Sequence, residues 1–454
     1  MSFLMQLTKW FESHADEIKE DFFSFLRFQS ISADPAFANE MHSCAEWVKN
    51  YITKYCGMKA EILPTTSYPL VFAEDLRAGA APTLLAYGHY DVQPVDPLEL
   101  WESDPFEPTE RNGKIYARGA VDDKGQIFYA VIAARAWREL GRKLPINLKF
   151  CIEGEEESAS LGLARELPKL KEKLKADFLL AVDCGQFDET TPAVTLSGRG
   201  IAIFEVQLRG SHSDLHSGTH GGLAFNPNRA MAQLLAKVWD EEGRIQIPGF
   251  YDDVLVLNSE EKSQYSCRFD EKSYKKEFGI SAIGGEKGFS FVEKNGLRPT
   301  FEINGMSGGY TGKGFKTVIP ALASAKISCR LVPNQDPKKI SESVIAYLLA
   351  NVEPGMHIEV KDLGSDAPFW GNTESPLAKA IMLASTEVMK KECRKVLGGG
   401  SIPIIAQMAK ILGTDIVGMG QYLPTDDIHA PNEHFDFKRF KDGFLTFARM
   451  LELL

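Results

Sequence analysis

Apolar positions in the first half of the chain follow two alternating patterns. Short continuous apolar runs at residues 83–87, 146–152 and 178–182 predict buried strands. Apolar side chains at helical spacing lie between them, most clearly over residues 125–140. Because strands alternate with helices, the pattern predicts an α/β fold with a largely parallel central sheet flanked by helices.

The pattern changes after Leu196. Residues 200–208 and 316–330 alternate like half-buried strands, and each run is followed by a predicted helix, at 227–240 and 337–349. Two strand–helix pairs predict a small α+β domain with an antiparallel sheet. Residues 251–314 are rich in Gly, Lys and Ser with weak periodicity, and they are predicted to be a long loop-rich insertion.

The α/β pattern then returns. Its predicted elements are helices at 375–390, 402–411 and 435–453 and a strand at 415–419. The sequence therefore predicts one domain from residues 1–197 and 375–454, with a smaller domain of residues 198–374 inserted into it.

Composition and charge exclude several classes of function. The formal net charge of −11 disfavours nucleic acid as the main partner, because phosphate binding needs a basic surface. No apolar run is long enough to span a bilayer, and the first residues are typical of an amphipathic helix rather than of a leader, so no membrane partner and a cytoplasmic location are expected. The seven cysteines are scattered without a C-x-x-C pair, which predicts free thiols in a reducing compartment.

Candidate chemistry is concentrated where predicted strands end. These positions carry His89, Asp91, Asp122, the triplet Glu155–Glu156–Glu157, Asp183 and His429. Singly, a His-x-Asp pair is more commonly a capping pair, and an acidic triplet usually faces solvent. Together, at one sheet edge, two histidines and several carboxylates favour Zn²⁺ or Mn²⁺.

A bridging carboxylate would make this set sufficient for two ions. Such a pair would polarise an amide carbonyl and hold a hydroxide nucleophile, while a carboxylate outside the ligand set moves the proton. The sequence therefore favours a metal-dependent hydrolase.

Two other motifs predict different chemistry and are disfavoured. Gly305-Met306-Ser307-Gly308-Gly309 matches G-x-S-x-G, but the glycines that follow cannot form the helix which that serine motif requires. His212, His216 and His220 would share a helix face and could bind a metal, but the intervening Gly, Ser and Asp are poor helix formers.

Nine motifs carry a family resemblance. In chain order they are GHYDVQP, WESDPFEP, YARGAVDDKG, EGEEES, DLHSGTHGG, KTVIPA, RLVPN, GGGSIP and IHAPNE. They resemble the di-metal peptidase family of carnosinase, cytosolic non-specific dipeptidase, acetylornithine deacetylase and succinyl-diaminopimelate desuccinylase. GHYDVQP and DLHSG with the long insertion are most similar to the dipeptidase branch.

The resemblance implies specific roles for the metal-site residues. His89 and Asp183 would bind one metal, Glu157 and His429 the other, and Asp122 would bridge them. Glu156 would be the general base, and Asp91 would orient His89. The Asp122–Asp123 bond is a candidate cis peptide. The assignment of Glu156 and Glu157, rather than Glu155, to these roles rests on the resemblance alone.

On the substrate side, the resemblance makes residues 198–374 a lid and dimerisation domain. His216 would stabilise the oxyanion across a homodimer interface. Arg330 would bind a substrate carboxylate, although a surface salt bridge is the alternative for this residue. The run Gly398–Ser401 before a predicted helix is either an anion site or a plain turn. Thr317 is a weaker candidate for substrate contact.

The expected activity is hydrolysis of dipeptides or short peptides with a free C-terminal carboxylate, with two Zn²⁺ or Mn²⁺ ions per subunit. An N-acyl amino acid deacylase using the same site is the alternative within the class. A binding protein on an inactive hydrolase fold is the alternative outside it. Cys184, beside the proposed ligand Asp183, departs from the family pattern and is a candidate for altered metal preference or oxidation sensitivity.

Overall fold

A computed structural model describes residues 2–266, 269–400 and 402–454. Its central element is a nine-stranded mixed sheet. In spatial order, the strands are Lys59–Leu63, Leu70–Asp75, Asn147–Glu153, Thr83–His89, Phe178–Ala181, Asp415–Gly418, Ala193–Thr195, Arg394–Val396 and Tyr265–Ser266. The four strands from Asn147–Glu153 to Asp415–Gly418 are mutually parallel, which confirms the largely parallel centre.

The strand Thr83–His89 shows why the sheet needs helices on both faces. Leu84 and Ala86 pack into the core on one face, whereas Leu85 and Tyr87 pack into the core on the other. Side chains alternate across a strand, so a run that is apolar at every position must be covered on both sides.

Helices cover each face of the large sheet. One face packs against the helices Phe3–Leu26, Ala38–Tyr51, Lys124–Glu139, Pro376–Met389 and Phe437–Leu453. The other packs against Leu161–Leu174 and Pro403–Leu412. The small sheet His434–Asp436, Lys114–Tyr116 and Thr109–Arg111 joins the chain before the last helix to the first half of the molecule.

A separate four-stranded antiparallel sheet has its own core, as expected. Its strands, in spatial order, are Thr300–Gly308, Leu322–Leu331, Gly200–Arg209 and His357–Asp366. The helices Pro227–Ala236 and Pro337–Asn351 pack on one face. Short pairs Leu215–His216 with Val318–Ile319 and Ser197–Gly198 with Phe369–Trp370, and the short helix Ser217–His220, complete this region.

The prediction of a loop-rich insertion over residues 251–314 is wrong. The segment contains the short helices Ser259–Ser263, Glu271–Phe278 and Phe291–Gly296, and the strand Tyr265–Ser266 that joins the edge of the large sheet. It also contains the edge strand Thr300–Gly308. Most side chains of this strand are exposed, with Phe301 as its buried residue, so the alternation that marks a half-buried strand is missing.

Smaller differences concern element bounds and cysteines. The alternating stretch 316–330 is two strands separated by a turn, and the helix expected over 227–240 ends at Ala236. The six cysteines within the described ranges are free and buried, while Cys267 lies outside them. Among the described residues, no helix combines the length and apolarity needed to cross a bilayer.

Candidate active site

The predicted metal-site residues meet at the carboxyl edge of the parallel strands. His89 ends one strand, Asp183 follows the neighbouring strand by two residues, and the glutamate triplet follows the strand Asn147–Glu153. A cavity of about 440 Å³ opens at this edge, and its wall includes Asp122, Glu156, Asp183 and His429. We call it the metal cavity. Adjacent parallel strands thus bring together residues that are distant in the sequence.

Two potential metal-binding groups share Asp122. His89, Asp122 and Asp183 form one group, and Asp122, Glu157 and His429 form the other. The ligand atoms within each group lie within 4.8 Å of one another. One Asp122 oxygen lies 3.2 Å from Nε2 of His89, and the other lies 2.8 Å from Nε2 of His429.

His89 is fully buried and held in one orientation. Its Nδ1 lies 3.0 Å from the backbone carbonyl oxygen of Asp91, so Nδ1 is assigned as the donor. Its Nε2 has no hydrogen-bond partner among the described residues. A buried nitrogen lone pair facing carboxylates, with the second ring nitrogen bonded to a carbonyl, is the arrangement of a metal ligand.

The electrostatics also fit cations. Burial, followed by the charge of Asp122, raises the pKa of Asp183 well above its ordinary value. Burial likewise raises the pKa of Glu156, and Asp183 and Glu157 add to the effect. Hydrogen bonds to Asp122 and Glu157 raise the pKa of His429 to about 10. The site therefore concentrates more carboxylate charge than two imidazoles balance, and divalent cations would neutralise it. Nitrogen and oxygen donors together suit Zn²⁺ or Mn²⁺.

Asp91 links His89 to the glutamate turn. Its carboxylate accepts the backbone N–H of Glu156 at 3.2 Å and that of Glu157 at 3.0 Å. Ser32 donates to the same carboxylate at 2.7 Å. Gln93 Nε2 holds the Glu157 side chain at 2.7 Å.

The structure gives the three glutamates different surroundings, which the sequence alone could not distinguish. Glu155 accepts the N–H of Gly162 at the start of the helix Leu161–Leu174, at 2.7 Å, so it stabilises a helix end. Glu157 lies 3.3 Å from Nε2 of His429. Glu156 lines the cavity, whereas Glu155 and Glu157 do not belong to its wall.

The loop that carries Asp122 is fixed by a buried glutamate. Glu433 accepts the N–H of Val121 at 3.0 Å and that of Asp122 at 3.1 Å, and it pairs with Arg118 at 2.7 Å. The peptide bond between Asp122 and Asp123 is cis, as the resemblance implied. Glu433 thus connects the Asp122 loop to the segment that carries His429.

His216 and Thr317 lie together, outside the metal cavity. Both are exposed, and the N–H of Ser217 donates to the Thr317 carbonyl at 3.0 Å. Neither residue belongs to the cavity wall. The metal-binding groups found among the described residues do not include His212, His216 or His220.

The glycine run and Arg330 differ in their position relative to the cavity. Gly398, Gly399 and Gly400 line the cavity, whereas Arg330 does not. Arg199 connects the two regions. Its Nε donates to the Gly399 carbonyl at 2.8 Å, and burial, followed by the nearby charge of Arg330, lowers its pKa to about 10. Ser401 lies outside the described residues.

Cys184 and Ser307 have simple structural surroundings. Burial raises the pKa of the Cys184 thiol, and the residue lines the cavity beside Asp183. Ser307 lies within the exposed strand Thr300–Gly308, and no helix follows it among the neighbouring described residues, so the serine-hydrolase motif has no structural basis.

Comparison with known proteins decides the family. The sequence profile of the group described as Peptidase family M20/M25/M40 matches residues 85–453. The chain belongs to this peptidase family. It is therefore a hydrolase, and the resemblance found in the sequence is confirmed.

Three relatives of this M20-family chain illustrate the match. Beta-Ala-His dipeptidase of Mus musculus is 34% identical over 84% of this chain and 78% of the relative. Cys-Gly metallodipeptidase of Candida albicans is 30% identical over 84% of this chain and 81% of the relative. The crystal structure of an M20 family metallo-carboxypeptidase from Sulfolobus solfataricus has a TM-score of 0.85 and 32% identity, covering 96% and 99% of the two chains.

Sequence reasoning assigned no role to several residues that build this M20-family site. Glu433 and Gln93 lie inside the motifs IHAPNE and GHYDVQP, so motif membership was the available signal. Ser32 lies in no motif, and it reaches Asp91 across 59 positions of sequence. Only the tertiary fold identifies such a contact.

Proposed function

We propose that this protein hydrolyses dipeptides or short peptides with a free C-terminal carboxylate, in a metal-dependent reaction. The observation that carries the proposal is the position of Asp122, whose two oxygens face a histidine in each of two potential metal-binding groups. The similarity to the Beta-Ala-His dipeptidase of Mus musculus and to the Cys-Gly metallodipeptidase of Candida albicans supports the substrate class.

Five residues would hold two divalent cations, Zn²⁺ or Mn²⁺. His89 and Asp183 would bind one, Glu157 and His429 the other, and Asp122 both. Cations bound there would act as Lewis acids toward the scissile carbonyl and the attacking water. Asp91 would keep the His89 ring and the backbone of the glutamate turn in place.

Glu156 is the proposed general base. It lines the cavity next to the ligand groups, and its neighbour Asp91 fixes its backbone N–H. A carboxylate placed here takes a proton from water and returns it to the leaving amine. Glu155 is unsuited to this role because its carboxylate already accepts the backbone N–H of Gly162.

Residues 198–374 are proposed as a lid that also forms a homodimer. Nδ1 of His216 accepts the N–H groups of Gly218 at 3.1 Å and Thr219 at 3.3 Å, so its proton belongs on Nε2. That N–H remains available to donate to an oxyanion, but not in the cavity of its own chain. A partner subunit is therefore proposed to bring His216, with Thr317 beside it, to the site.

The C-terminal carboxylate of the substrate is proposed to bind near the glycine run and Arg330. The run lines the cavity, and Arg199 fixes it by bonding to the Gly399 carbonyl. Arg330 lies beside Arg199 and is half-buried. Ser401 is a further candidate from the sequence.

A substrate panel with metal control tests the proposed function. We expect hydrolysis of Ala-Ala and Ala-His, its loss after chelation, and its return on adding Zn²⁺ or Mn²⁺. N-acetyl-alanine tests the deacylase alternative in parallel. If the protein cleaves N-acetyl-alanine but neither dipeptide, the substrate class is N-acyl amino acids and not peptides. Turnover of dipeptides that resists complete metal removal would overturn the proposed chemistry.

A further inference from the structure

A second cavity of about 640 Å³ lies between the segment around residues 269–295 and the loop after Leu423. Four aromatic rings contribute to its wall, those of Phe269, Tyr274, Phe278 and Phe291. We call this cavity the aromatic chamber. None of its aromatic residues acts in the proposed hydrolysis.

The four rings form one continuous row. The ring centroids of Phe269 and Phe291 are 3.8 Å apart, those of Phe269 and Tyr274 are 5.4 Å apart, and those of Tyr274 and Phe278 are 4.9 Å apart. These rings are absent from the hydrophobic cores formed by the described residues. Phe278 is 56% exposed and Phe291 is 37% exposed. A row of partly exposed aromatic rings beside a cavity is typical of a ligand-binding surface.

The aromatic chamber adjoins the metal cavity. Asn295 and Pro424 belong to the walls of both cavities. A Cβ atom built on Gly399 would lie 2.5 Å from Oδ1 of Asn295, so this shared wall is in close contact with the glycine run. The two cavities therefore share part of one wall.

The charged groups of the chamber are already engaged within the protein. The carboxylate of Asp270 accepts the N–H of Ser273 at 2.7 Å, at the start of the helix Glu271–Phe278. Lys294 Nζ donates to the Gly284 carbonyl at 3.0 Å. The wall exposes more apolar than polar surface, which favours an uncharged apolar group over a charged one.

We propose that the aromatic chamber binds a large apolar side chain of the peptide substrate, and thereby makes peptides with an aromatic residue the preferred substrates. The inference rests on the proposed peptidase function. It assigns a role in substrate specificity to the helices Glu271–Phe278 and Phe291–Gly296, which lie in the segment predicted from the sequence to be loop-rich. Burial of one aromatic side chain in an apolar pocket is worth roughly a 10- to 200-fold preference.

Three dipeptides, Ala-Ala, Ala-Phe and Phe-Ala, test the proposal on the full-length, metal-loaded protein. We expect kcat/KM to be at least about tenfold higher for one of the two aromatic dipeptides than for Ala-Ala. Phe291→Ala and Phe269→Ala should each remove most of that preference while changing Ala-Ala turnover by less than about twofold. Ala282→Trp places a large side chain in the chamber from its wall. This substitution should also reduce the preference for the aromatic dipeptide, although it removes no aromatic ring.

Tyr347→Ala is the matched control. Tyr347 lies on the helix Pro337–Asn351, where it donates to the Lys237 carbonyl, and it belongs to neither cavity wall. This variant should keep the full aromatic preference. Thermal unfolding of each variant identifies any that fails to fold. If a Phe→Ala variant does not fold, Ala282→Trp is used in its place.

Wild-type protein that hydrolyses all three dipeptides equally, or variants that slow all three equally, would overturn the inference. If no dipeptide is hydrolysed, the proposed function fails, and the chamber is then tested by titrating Glu156→Gln protein with the same peptides. Tighter binding of an aromatic dipeptide, lost in Phe291→Ala, supports the chamber. Equal affinities for all three, or affinities unchanged by that substitution, contradict it.

Discussion

The carboxylate of Asp91 accepts the backbone N–H of Glu157 at 3.0 Å, which connects the residue beside His89 to the turn that carries the second metal-binding group. Asp91→Asn replaces one acceptor oxygen by a donor NH₂ that cannot satisfy a second N–H. We expect metal affinity and kcat each to fall about 10- to 100-fold. Chelator competition and steady-state kinetics measure the two quantities. Unchanged metal affinity would show that Asp91 does not position the ligands.

The three consecutive glutamates are predicted to differ sharply when substituted. Glu156→Gln removes the proposed base and should lower kcat by about 10²- to 10⁴-fold while metal content is unchanged. Glu155→Gln is the matched control, because an amide oxygen still accepts the Gly162 N–H, and it should keep most of the activity. Metal analysis and kinetics on both variants check this. Equal activity of the two would refute the assignment of the base.

Asp122 is predicted to control both ions. Asp122→Ala should leave neither metal tightly bound, because one oxygen faces each histidine. His429→Ala should weaken the ion shared with Glu157, and its metal content should fall toward one ion per chain. Elemental analysis after gel filtration gives the stoichiometry. Two ions retained by Asp122→Ala would exclude a shared ligand.

The dimer proposal predicts complementation between inactive variants. His216→Ala should lose most turnover and keep its metals. When it is mixed with Glu156→Gln protein under conditions of subunit exchange, mixed dimers contain one intact site, so activity should partly return. Verified exchange without recovery would count against sharing. Light scattering of the unmixed protein gives its oligomeric state independently.

Glu153 is predicted to make stability depend on pH. Burial raises its pKa to about 8 from 4.5, partly offset by the Tyr87 hydroxyl that donates to it. The folded state then binds this proton more tightly than the unfolded state, so the free energy of unfolding falls as pH rises between these values.

Glu153→Gln should remove this dependence, because the amide oxygen still accepts from Tyr87 and Ser160. Relative to wild type, the variant should gain stability on going from pH 5 to pH 8, on the order of 3 kcal/mol. Urea unfolding of both metal-loaded proteins at the two pH values measures the difference. A variant with the same loss of stability as wild type would place the titration elsewhere.

The sequence by itself determined the parallel strands at the centre of the large sheet and the candidate metal ligands His89 and Asp183 at their ends. The run Thr83–His89 is apolar on both faces, and this pattern directly records burial between two layers of helices. The sequence analysis missed the edge strand Thr300–Gly308, because most side chains of this strand are exposed and apolar and polar residues do not alternate along it. Local periodicity reports how a segment is buried, so a segment with little burial leaves little signal.

Only the tertiary structure decided which residues surround the candidate site. Ser32 and Glu433 reach Asp91 and Asp122 from distant parts of the chain, and no local pattern encodes such contacts. The glutamates differ because one tight turn places Glu155 at a helix start and Glu156 in the cavity. Consecutive residues of the same type cannot be distinguished by a local sequence pattern. The folded backbone, in contrast, gives each side chain its own direction and partners.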